Sequence, residues 1–298
     1  MRPTALIPAL LCAGALTLTF LCLFAGHKRA FMEDYHLLTL NTSRIGSNLL
    51  NDGNGPISSL LNNVTDITDT LGITDDINNA VASFAERVGV EDFYSVHILD
   101  YCYGSYVPVP VANGTVKQGD IHKNVSACSN RTAMFTWDPA ESLERSLNES
   151  GVNISLDDLQ WPEDIQTGID ALHILQKAVF VLYCISIGLI FICFLAALLA
   201  LFADGRLGAA VNVLLTLLAF LSVGIASGIV TAVIVKGSDV INKYGKEIGV
   251  ESHWGGKFLA ITWSATGLML LAVLVWSIEC CFGRRRRRGS GGYVAKHG

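Results

Sequence analysis

Residues 178–202, AVFVLYCISIGLIFICFLAALLALF, decide the fold, because they contain no Asp, Glu, Lys, Arg or His. A helix of roughly 20 apolar residues crosses about 30 Å of hydrocarbon, so this stretch is long enough to span a membrane. Three further stretches share these properties, at residues 6–25, 207–235 and 258–278, and we extend the last span to residue 281. Only 16% of the 298 residues are charged, against about 25% in soluble domains. The sequence therefore predicts an α-helical membrane protein with four spans.

The basic residues near the span ends predict which side of the membrane each loop occupies, since Lys and Arg are retained in the cytoplasm. Five arginines at residues 284–288 follow the fourth span, and Arg206 lies in the short turn between the second and third. Lys28 and Arg29 oppose this orientation, but long loops translocate largely regardless of charge. We therefore expect a cytoplasmic N-terminus (1–5), turn (203–206) and tail (282–298), with extracellular loops at 26–177 and 236–257.

The first span has two interpretations. Its apolar core, followed by the small residues Ala25 and Gly26, is similar to a cleaved signal peptide. A length of about 20 apolar residues is more typical of an uncleaved anchor. The predicted topology of the rest of the chain is the same in both cases.

Acceptor sequences for N-glycosylation test the orientation independently, because Asn-x-Ser/Thr is modified only on the lumenal side. Composition alone predicts about two such sequences in the long loop, and seven are found there, at Asn41, Asn63, Asn113, Asn124, Asn130, Asn148 and Asn153. Their concentration in one loop predicts that it is an extracellular, glycosylated domain.

The eight cysteines divide by compartment. Cys102 and Cys128 lie in the long loop, where an oxidising environment favours a disulfide between them. Such a bond would close a loop of roughly 25 residues and stabilise the fold by about 3 kcal/mol. The alternative is a free or intermolecular thiol. The other six lie in or beside the spans, at Cys12, Cys22, Cys184, Cys193, Cys280 and Cys281.

The inner end of the fourth span carries two features that suggest contact with lipid. Cys280 and Cys281 are placed as juxtamembrane palmitoylation acceptors usually are, and they are equally consistent with ordinary span-end residues. A basic cluster just inside a membrane attracts anionic lipid at about 1 kcal/mol per residue, in addition to setting the orientation. This cluster, called the arginine run below, consists of Arg284, Arg285, Arg286, Arg287 and Arg288.

The long loop is predicted to be a mixed α/β domain. Apolar residues with helical spacing predict two amphipathic helices, at residues 57–71 and 75–88. Residues 93–99 and 131–137 are rich in aromatic and β-branched side chains, so we expect two or three short strands held by the disulfide. A Trp-Pro-Glu motif that ends at Glu163 predicts a helix start with proline in its first turn.

Three segments of this loop carry a resemblance to a known family. They read DFYSVH at residues 92–97, DYCYG at 100–104 and NVSACSNRTAMF at 124–135. This cysteine-centred pattern resembles the signature of the fungal Sur-seven/PalI family, and VTAVIVKGSDVINKYG at residues 230–245 is similar to members from filamentous ascomycetes. The resemblance implies a four-span, claudin-like bundle with a disulfide in its first extracellular loop, and Cys102 and Cys128 match the family's cysteine pair.

The resemblance also implies a function. Members of the family are fungal plasma-membrane proteins associated with static furrow-like domains called eisosomes, and are linked to the organisation of those domains, endocytosis, cell-wall integrity and sphingolipid balance. The resemblance implies sphingolipid-rich domains and eisosome or cell-wall proteins as partners. The arginine run adds anionic lipids of the inner leaflet, and a glycine step in the third span adds a second copy of the chain.

The PalI branch of the family is linked instead to ambient-pH signalling. It offers the alternative of an auxiliary membrane subunit in a pH- or wall-stress-sensing complex, in which His97 and His122 would titrate near neutral pH. That branch typically has a long cytoplasmic tail, whereas only 15 residues are present from Arg284 onward. The short tail favours the eisosomal role.

Patterns typical of catalysis or transport are weak. Ser95, His97 and Asp100 have the residue types of a nucleophilic triad, but no strand-turn nucleophile motif surrounds them. The seven histidines form no set with the spacing of metal ligands. The four spans lack the charged residues that mark ion paths. We therefore expect no enzymatic activity, cofactor, metal site or nucleic-acid partner.

Gly224 and Gly228 form a Gly-x-x-x-Gly step in the third span, a spacing that permits close helix approach. The step has two interpretations, packing against the first or second span of the same chain, or contact between two copies. Both are structural, and the step is the main sequence feature that favours oligomerisation.

The net charge of −5 hides a strong polarity. Residues 26–176 contain 8 Lys and Arg against 21 Asp and Glu, a net charge of −13. The segments predicted to be cytoplasmic contain 8 Lys and Arg against 2 Asp and Glu when Glu279 is included, a net charge of +6. The sequence thus predicts an acidic outer domain and a basic inner edge.

Overall fold

The structure is a computed structural model that describes residues 3–29, 31–45, 90–107, 122–149, 163–202, 206–246 and 249–289. The chain divides into two compact units. The helical unit consists of Met1–Leu23, Val179–Ile229 and Leu259–Gly298, and the sheet unit of Phe24–Ala178 and Val230–Phe258. The predicted helices at residues 57–71 and 75–88 lie outside the described residues.

Four helices in the described ranges are long and apolar enough to cross a membrane. A 3-10 turn at Pro3–Ala5 leads into α1 (Leu6–Phe24). After the short α2 (Pro139–Glu149), the remaining long helices are α3 (Glu163–Ala200), α4 (Arg206–Gly245) and α5 (Gly256–Gly289). They fit the predicted four-span helical membrane bundle.

The helices extend beyond the apolar stretches that identify them. α4 continues through Lys236 to Gly245, and α5 continues through the arginine run to Gly289. α3 begins at Glu163, directly after the predicted Trp-Pro start. Because helical backbone bonds are made within the segment, a helix entering water loses none of them at the membrane surface.

Small and medium side chains from all four long helices form the core of the helical unit. One buried cluster includes Ala15 of α1, Cys193 of α3, Ala219 of α4 and Met269 of α5. Small residues let helices approach closely, which matters in lipid because apolar burial alone gives no advantage over contact with lipid tails.

Hydroxyl groups link the spans within the helical unit. The Tyr183 hydroxyl and Thr262 Oγ1 are 2.6 Å apart, and Ser227 Oγ is 2.8 Å from Thr262 Oγ1. A second pair joins Ser186 Oγ to Ser222 Oγ at 2.8 Å. Interhelical hydrogen bonds of this kind fix the order of helices, since a polar group that faced lipid would lose its partner.

The sheet unit contains a five-stranded antiparallel sheet of order β4-β3-β2-β1-β5. The strands are β1 (Leu38–Asn41), β2 (Phe93–Val96), β3 (Tyr101–Val107), β4 (His122–Cys128) and β5 (Glu251–Trp254). β1 pairs with β2 on one side and with β5 on the other. The sheet therefore joins strands from both loops that were predicted to be extracellular.

Two strand predictions differ from the structure. Residues 131–137 form no strand, because the chain turns at residues 133–134 and then enters α2. Asp138 caps this helix, with its Oδ1 accepting hydrogen bonds from the backbone N–H of Ala140 at 2.8 Å and of Glu141 at 3.3 Å. The motif Asp-Pro-Ala-Glu has the signature of a helix N-terminus, with proline at the first position. The expected two or three strands are also too few, since β1 and β5 were not predicted.

The core of the sheet unit lies where the sheet meets α2 and the end of α4. Leu40, Tyr94, Trp137, Leu143 and Ile241 all belong to one buried cluster. Trp137 is only 4% exposed, so its aromatic character reflects burial rather than strand formation. β5 is also fixed by Asn242 of α4, whose side chain donates to Ser252 O at 2.9 Å and accepts from Ser252 N at 2.6 Å.

Candidate functional site in the sheet unit

A cleft with charges of both signs lies within the sheet unit. Its volume is about 580 Å³, within the range of roughly 300–1,000 Å³ typical of small-ligand sites. Three separate segments supply its walls: the chain that follows α1, the start of β4 and the first turn of α5. The charged cleft, as it is called below, is lined by Glu33, Asp34, His36, His122, Lys123, Gly256 and Lys257.

Lys123 reaches from β4 across one face of the sheet. Its Nζ donates to Thr39 Oγ1 on β1 at 2.9 Å and to Ser95 Oγ on β2 at 3.0 Å. It also lies 3.5 Å from Glu33 Oε1 and 5.1 Å from the ring centroid of Phe93. Burial lowers the pKa of Lys123, and Glu33 opposes that effect. Lys123 is therefore a positioned charge that holds three strands together.

Lys257 and Asp34 form the exposed rim of the charged cleft. Their Nζ and Oδ2 atoms are 2.5 Å apart, and both side chains are about 60% exposed. The hydrogen bond from Lys257 lowers the pKa of Asp34, and the same bond raises the pKa of Lys257. Behind them, burial and then the charge of Lys123 lower the pKa of His36 to about 4, so His36 is neutral at pH 7.

The disulfide predicted from the sequence is confirmed. Cys102 on β3 and Cys128 on β4 are bonded at 2.05 Å and are directly opposite each other in the strand register. Cys102 is completely buried. The bond thus joins the edge strand that carries Lys123 to the interior of the sheet.

His97 and Asp100 lie beside the disulfide, and the structure does not assemble them into a triad with Ser95. The Ser95 hydroxyl instead lies 3.0 Å from Lys123 Nζ and 3.4 Å from Thr39 Oγ1. Ligand atoms of His97, Asp100 and Cys102 come within 4.8 Å of one another. Since the sulfur of Cys102 is bonded to Cys128, it cannot act as a thiolate, and this set does not fit a metal.

The expectation that His97 titrates near neutral pH is wrong. His97 is 2% exposed, and burial lowers its pKa to about 3. It fills the space beside Gly26, where a Cβ atom would lie 2.3 Å from the ring and where φ is +78°. The neighbouring Asp100 is 1% exposed, and its Oδ1 has no hydrogen-bond partner among the described residues. Burial raises the pKa of Asp100 to about 7, with an opposing effect from Arg131.

We expect the Asp100→Asn variant to show how much this carboxyl contributes to the pH dependence of the free energy of unfolding. Because the pKa of Asp100 is higher in the folded state than in the unfolded state, the folded state binds this proton more tightly. The resulting contribution of Asp100 to the free energy of unfolding is complete below about pH 4 and is lost as the pH rises through 7. The free energy of unfolding of the wild type relative to the variant should fall by up to about 1.4 kcal/mol per pH unit in this window.

The measurement is unfolding of the full-length protein between pH 4 and 8, with Asp239→Asn as the matched control at an exposed position. His36 and His97 shift in the opposite direction, but they are present in both proteins and cancel in the difference. A difference between wild type and Asp100→Asn that is constant across the range would contradict the prediction.

The remaining predicted site residues are dispersed. Among the glycosylation acceptors, Asn124 on β4, Asn130 and Asn148 are exposed, while Asn41 on β1 is half-buried. Cys280 and Cys281 are exposed near the end of α5. The other three acceptors, Asn63, Asn113 and Asn153, lie outside the described residues.

The two glycines of the third span differ in their surroundings. A Cβ on Gly224 would lie 3.8 Å from Thr266 of α5, so Gly224 faces the fourth span rather than the first or second. A Cβ on Gly228 would meet no atom within 4 Å, and Gly228 is exposed. Only the first half of the step therefore takes part in packing within the described part of the chain.

Comparison with known proteins identifies the family. No curated protein and no solved structure gives a significant match to the chain. A match to the family described as SUR7/PalI covers residues 4–275, which include all five strands and nearly all of the four apolar spans. The chain therefore belongs to the SUR7/PalI family.

Proposed function

We propose that this protein is a non-enzymatic organiser of plasma-membrane domains. In this role the claudin-like, four-span bundle places the sheet unit outside the cell and both termini inside, in furrow-like domains of the eisosome type. Its effects on endocytosis, cell-wall integrity and sphingolipid balance follow from which lipids and proteins it retains there. Family membership supports a membrane-associated role, and the arginine run supports the choice of lipid organisation.

The continuation of α5 to Gly289 is the observation that carries this proposal. Successive helical residues are about 100° apart, so five consecutive arginine positions distribute around the whole helix. Each basic residue close to an anionic leaflet contributes about 1 kcal/mol. Five basic residues at the inner end of the fourth span would therefore concentrate anionic lipid around it.

We expect replacement of all five arginines at residues 284–288 by glutamine to disperse the protein from its membrane patches and to weaken its binding to anionic liposomes. The physical reason is the loss of roughly 5 kcal/mol of electrostatic attraction. The measurements are imaging of a tagged copy beside an eisosome marker, and co-sedimentation of the purified protein with liposomes that contain phosphatidylserine.

Two control variants separate charge from other effects. Five lysines at the same positions keep the charge and should preserve both readouts. Lys28→Gln together with Arg29→Gln removes charge at the other end of the first span and should also leave them unchanged. Unchanged patches and unchanged liposome binding in the glutamine variant would refute this mechanism.

A pH-sensing auxiliary subunit is the second candidate function. Asp100 favours it, because a buried carboxyl whose pKa is about 7 changes charge in the range such a sensor would use. Deletion of the protein distinguishes the two functions. Loss of responses to alkaline pH with intact furrow-like domains would support the sensor, and loss of the domains themselves would support the organiser.

A further inference from the structure

We propose that the charged cleft binds the zwitterionic headgroup of a membrane phospholipid, with the phosphate at Lys257 and the first turn of α5 and the ammonium at Glu33 and Asp34. This inference concerns the sheet unit and does not depend on the arginine run or on the role in domain organisation. It assigns a ligand class to a site that the sequence analysis did not identify.

The signs of the charges in the cleft favour a zwitterionic ligand. The cleft places two lysines and two carboxylates around one cavity of about 580 Å³, so its formal charge is balanced. A purely anionic ligand would face Glu33 and Asp34 at close range, and a purely cationic one would face Lys123 and Lys257. A ligand that carries both charges a few ångströms apart satisfies both pairs, and phosphoethanolamine and phosphocholine headgroups have that arrangement.

The two charges at the rim of the cleft can exchange their contact with each other for contacts with a ligand. Lys257 and Asp34 are 60% and 61% exposed, and a surface ion pair of this kind contributes little to stability. Exchanging it for contacts with a ligand therefore costs little. Lys123 differs, since its hydrogen bonds to Thr39 and Ser95 hold it in place at the back of the cleft. One lysine is fixed and the other is free to adjust.

The start of α5 at Gly256 also lies at the cleft. The first backbone N–H groups of a helix have no partner within the helix, and together with the helix dipole they favour an anion. Lys257 lies in this first turn, and both Gly256 and Lys257 line the cleft.

Position along the chain favours a lipid over a free soluble ligand. Gly256 and Lys257 are the first two residues of the apolar span Gly256–Cys281, and Glu33 and Asp34 follow soon after the span Leu6–Phe24. Residues that flank spans lie at the level of the headgroups. Trp254, which precedes this span, is 61% exposed, as is typical of tryptophans at the membrane interface.

The test is a titration of full-length protein in detergent with short-chain phosphatidylcholine and phosphatidylethanolamine, followed by intrinsic tryptophan fluorescence. Short-chain phosphatidylglycerol lacks the ammonium, free phosphoethanolamine lacks the chains, and inorganic phosphate lacks both. We expect saturable binding of the zwitterionic lipids, and affinity weaker by about tenfold or more for each of the other three probes, the loss typical of one charge-assisted contact.

Variants locate the site. Lys257→Gln and Asp34→Asn should each weaken binding of the zwitterionic lipids by about tenfold. Both positions are exposed, so melting temperatures near that of the wild type should confirm that these variants fold. The matched control is Lys246→Gln, at an exposed lysine of the same unit that does not line the cleft.

Three results would overturn the proposal. Equal affinity of Lys257→Gln and Lys246→Gln would show that binding occurs elsewhere. Equal affinity for phosphatidylglycerol and for the zwitterionic lipids would show that the ammonium group makes no contact that contributes to binding. Equal affinity for free phosphoethanolamine or inorganic phosphate would make the ligand a soluble phosphate compound rather than a lipid.

Discussion

Replacing Gly255 by alanine is expected to destabilise the sheet unit by about 3 kcal/mol or more, the upper part of the range for overpacked sites. A Cβ at this position would lie 1.7 Å from the carbonyl oxygen of His36 and 2.9 Å from that of Leu37. Both are backbone atoms, so no side-chain rotation relieves the contact. The two backbone segments, around residues 36–37 and around residue 255, would have to move apart. This movement would break the hydrogen bond from Gly255 N to Leu37 O at 2.8 Å.

The Gly255→Ala substitution is also expected to affect β5 and the charged cleft. Gly255 directly follows β5, whose four residues pair with β1 from Leu38 to Asn41. Displacement of the backbone at residue 255 would break the pairing of β5 with β1. It would also move Gly256 and Lys257 away from the charged cleft. We therefore expect Gly255→Ala to lose headgroup binding as well as stability.

The adjacent glycine provides the control. At Gly256 a Cβ would meet Trp254 at 3.9 Å, an ordinary van der Waals distance. Gly256→Ala should therefore unfold at nearly the wild-type temperature, while Gly255→Ala unfolds well below it. Equal melting temperatures for the two variants, measured on purified full-length protein, would refute the close approach of residues 36 and 255.

Removal of the disulfide is expected to have a comparable effect. Cys102 and Cys128 are separated by 26 residues in sequence, and cross-linking a loop of this length stabilises the folded state by about 3 kcal/mol in the chain-entropy account. The double variant Cys102→Ser, Cys128→Ser avoids a reactive single thiol. It also places a serine hydroxyl at the fully buried position of Cys102, which adds a cost for burying a polar group.

Chemical unfolding with and without a reductant measures this effect. The wild type should lose stability in the presence of dithiothreitol, and the double variant should not respond to it. Cys184→Ala, at a free and exposed cysteine in α3, is the control and should behave as the wild type does. A wild type that is equally stable with and without reductant would show that the bond contributes little.

The four spans could be predicted from sequence because lipid imposes a simple requirement. A helix needs enough apolar residues to cross the hydrocarbon, and 178–202 satisfies this without reference to any other part of the chain. The disulfide was predictable for a similar reason, since the long loop contains only Cys102 and Cys128. Both predictions rest on local composition.

The sheet was predicted incompletely because β1 and β5 depend on distant partners. β1 reads Leu-Thr-Leu-Asn and β5 reads Glu-Ser-His-Trp, which are too short to show a clear alternating pattern. β5 becomes a strand through pairing with β1 and through the hydrogen bonds of Ser252 to Asn242. Residues 131–137 show the converse, since their aromatic character indicated a strand where the chain turns and then enters a helix.

The charged cleft was not predictable for the same physical reason. Its lining residues come from segments near residues 33, 122 and 256, and none of these segments has an unusual composition. Lys123 in particular has no sequence signal that distinguishes it from a surface lysine. Its role depends on its side chain reaching across the sheet face to Thr39. That contact forms only after folding has brought β1, β2 and β4 together.

The order of the strands also determines when the sheet can be completed during translation. β1 lies inside the sheet, yet its partner β5 is translated only after three of the four apolar helices. Until then one edge of β1 has unpaired N–H and C=O groups, an arrangement prone to wrong association. A nascent chain that ends before residue 251 therefore leaves this edge of β1 without its partner strand. The sheet can therefore be completed only once translation has passed residue 254, shortly before the fourth span is made.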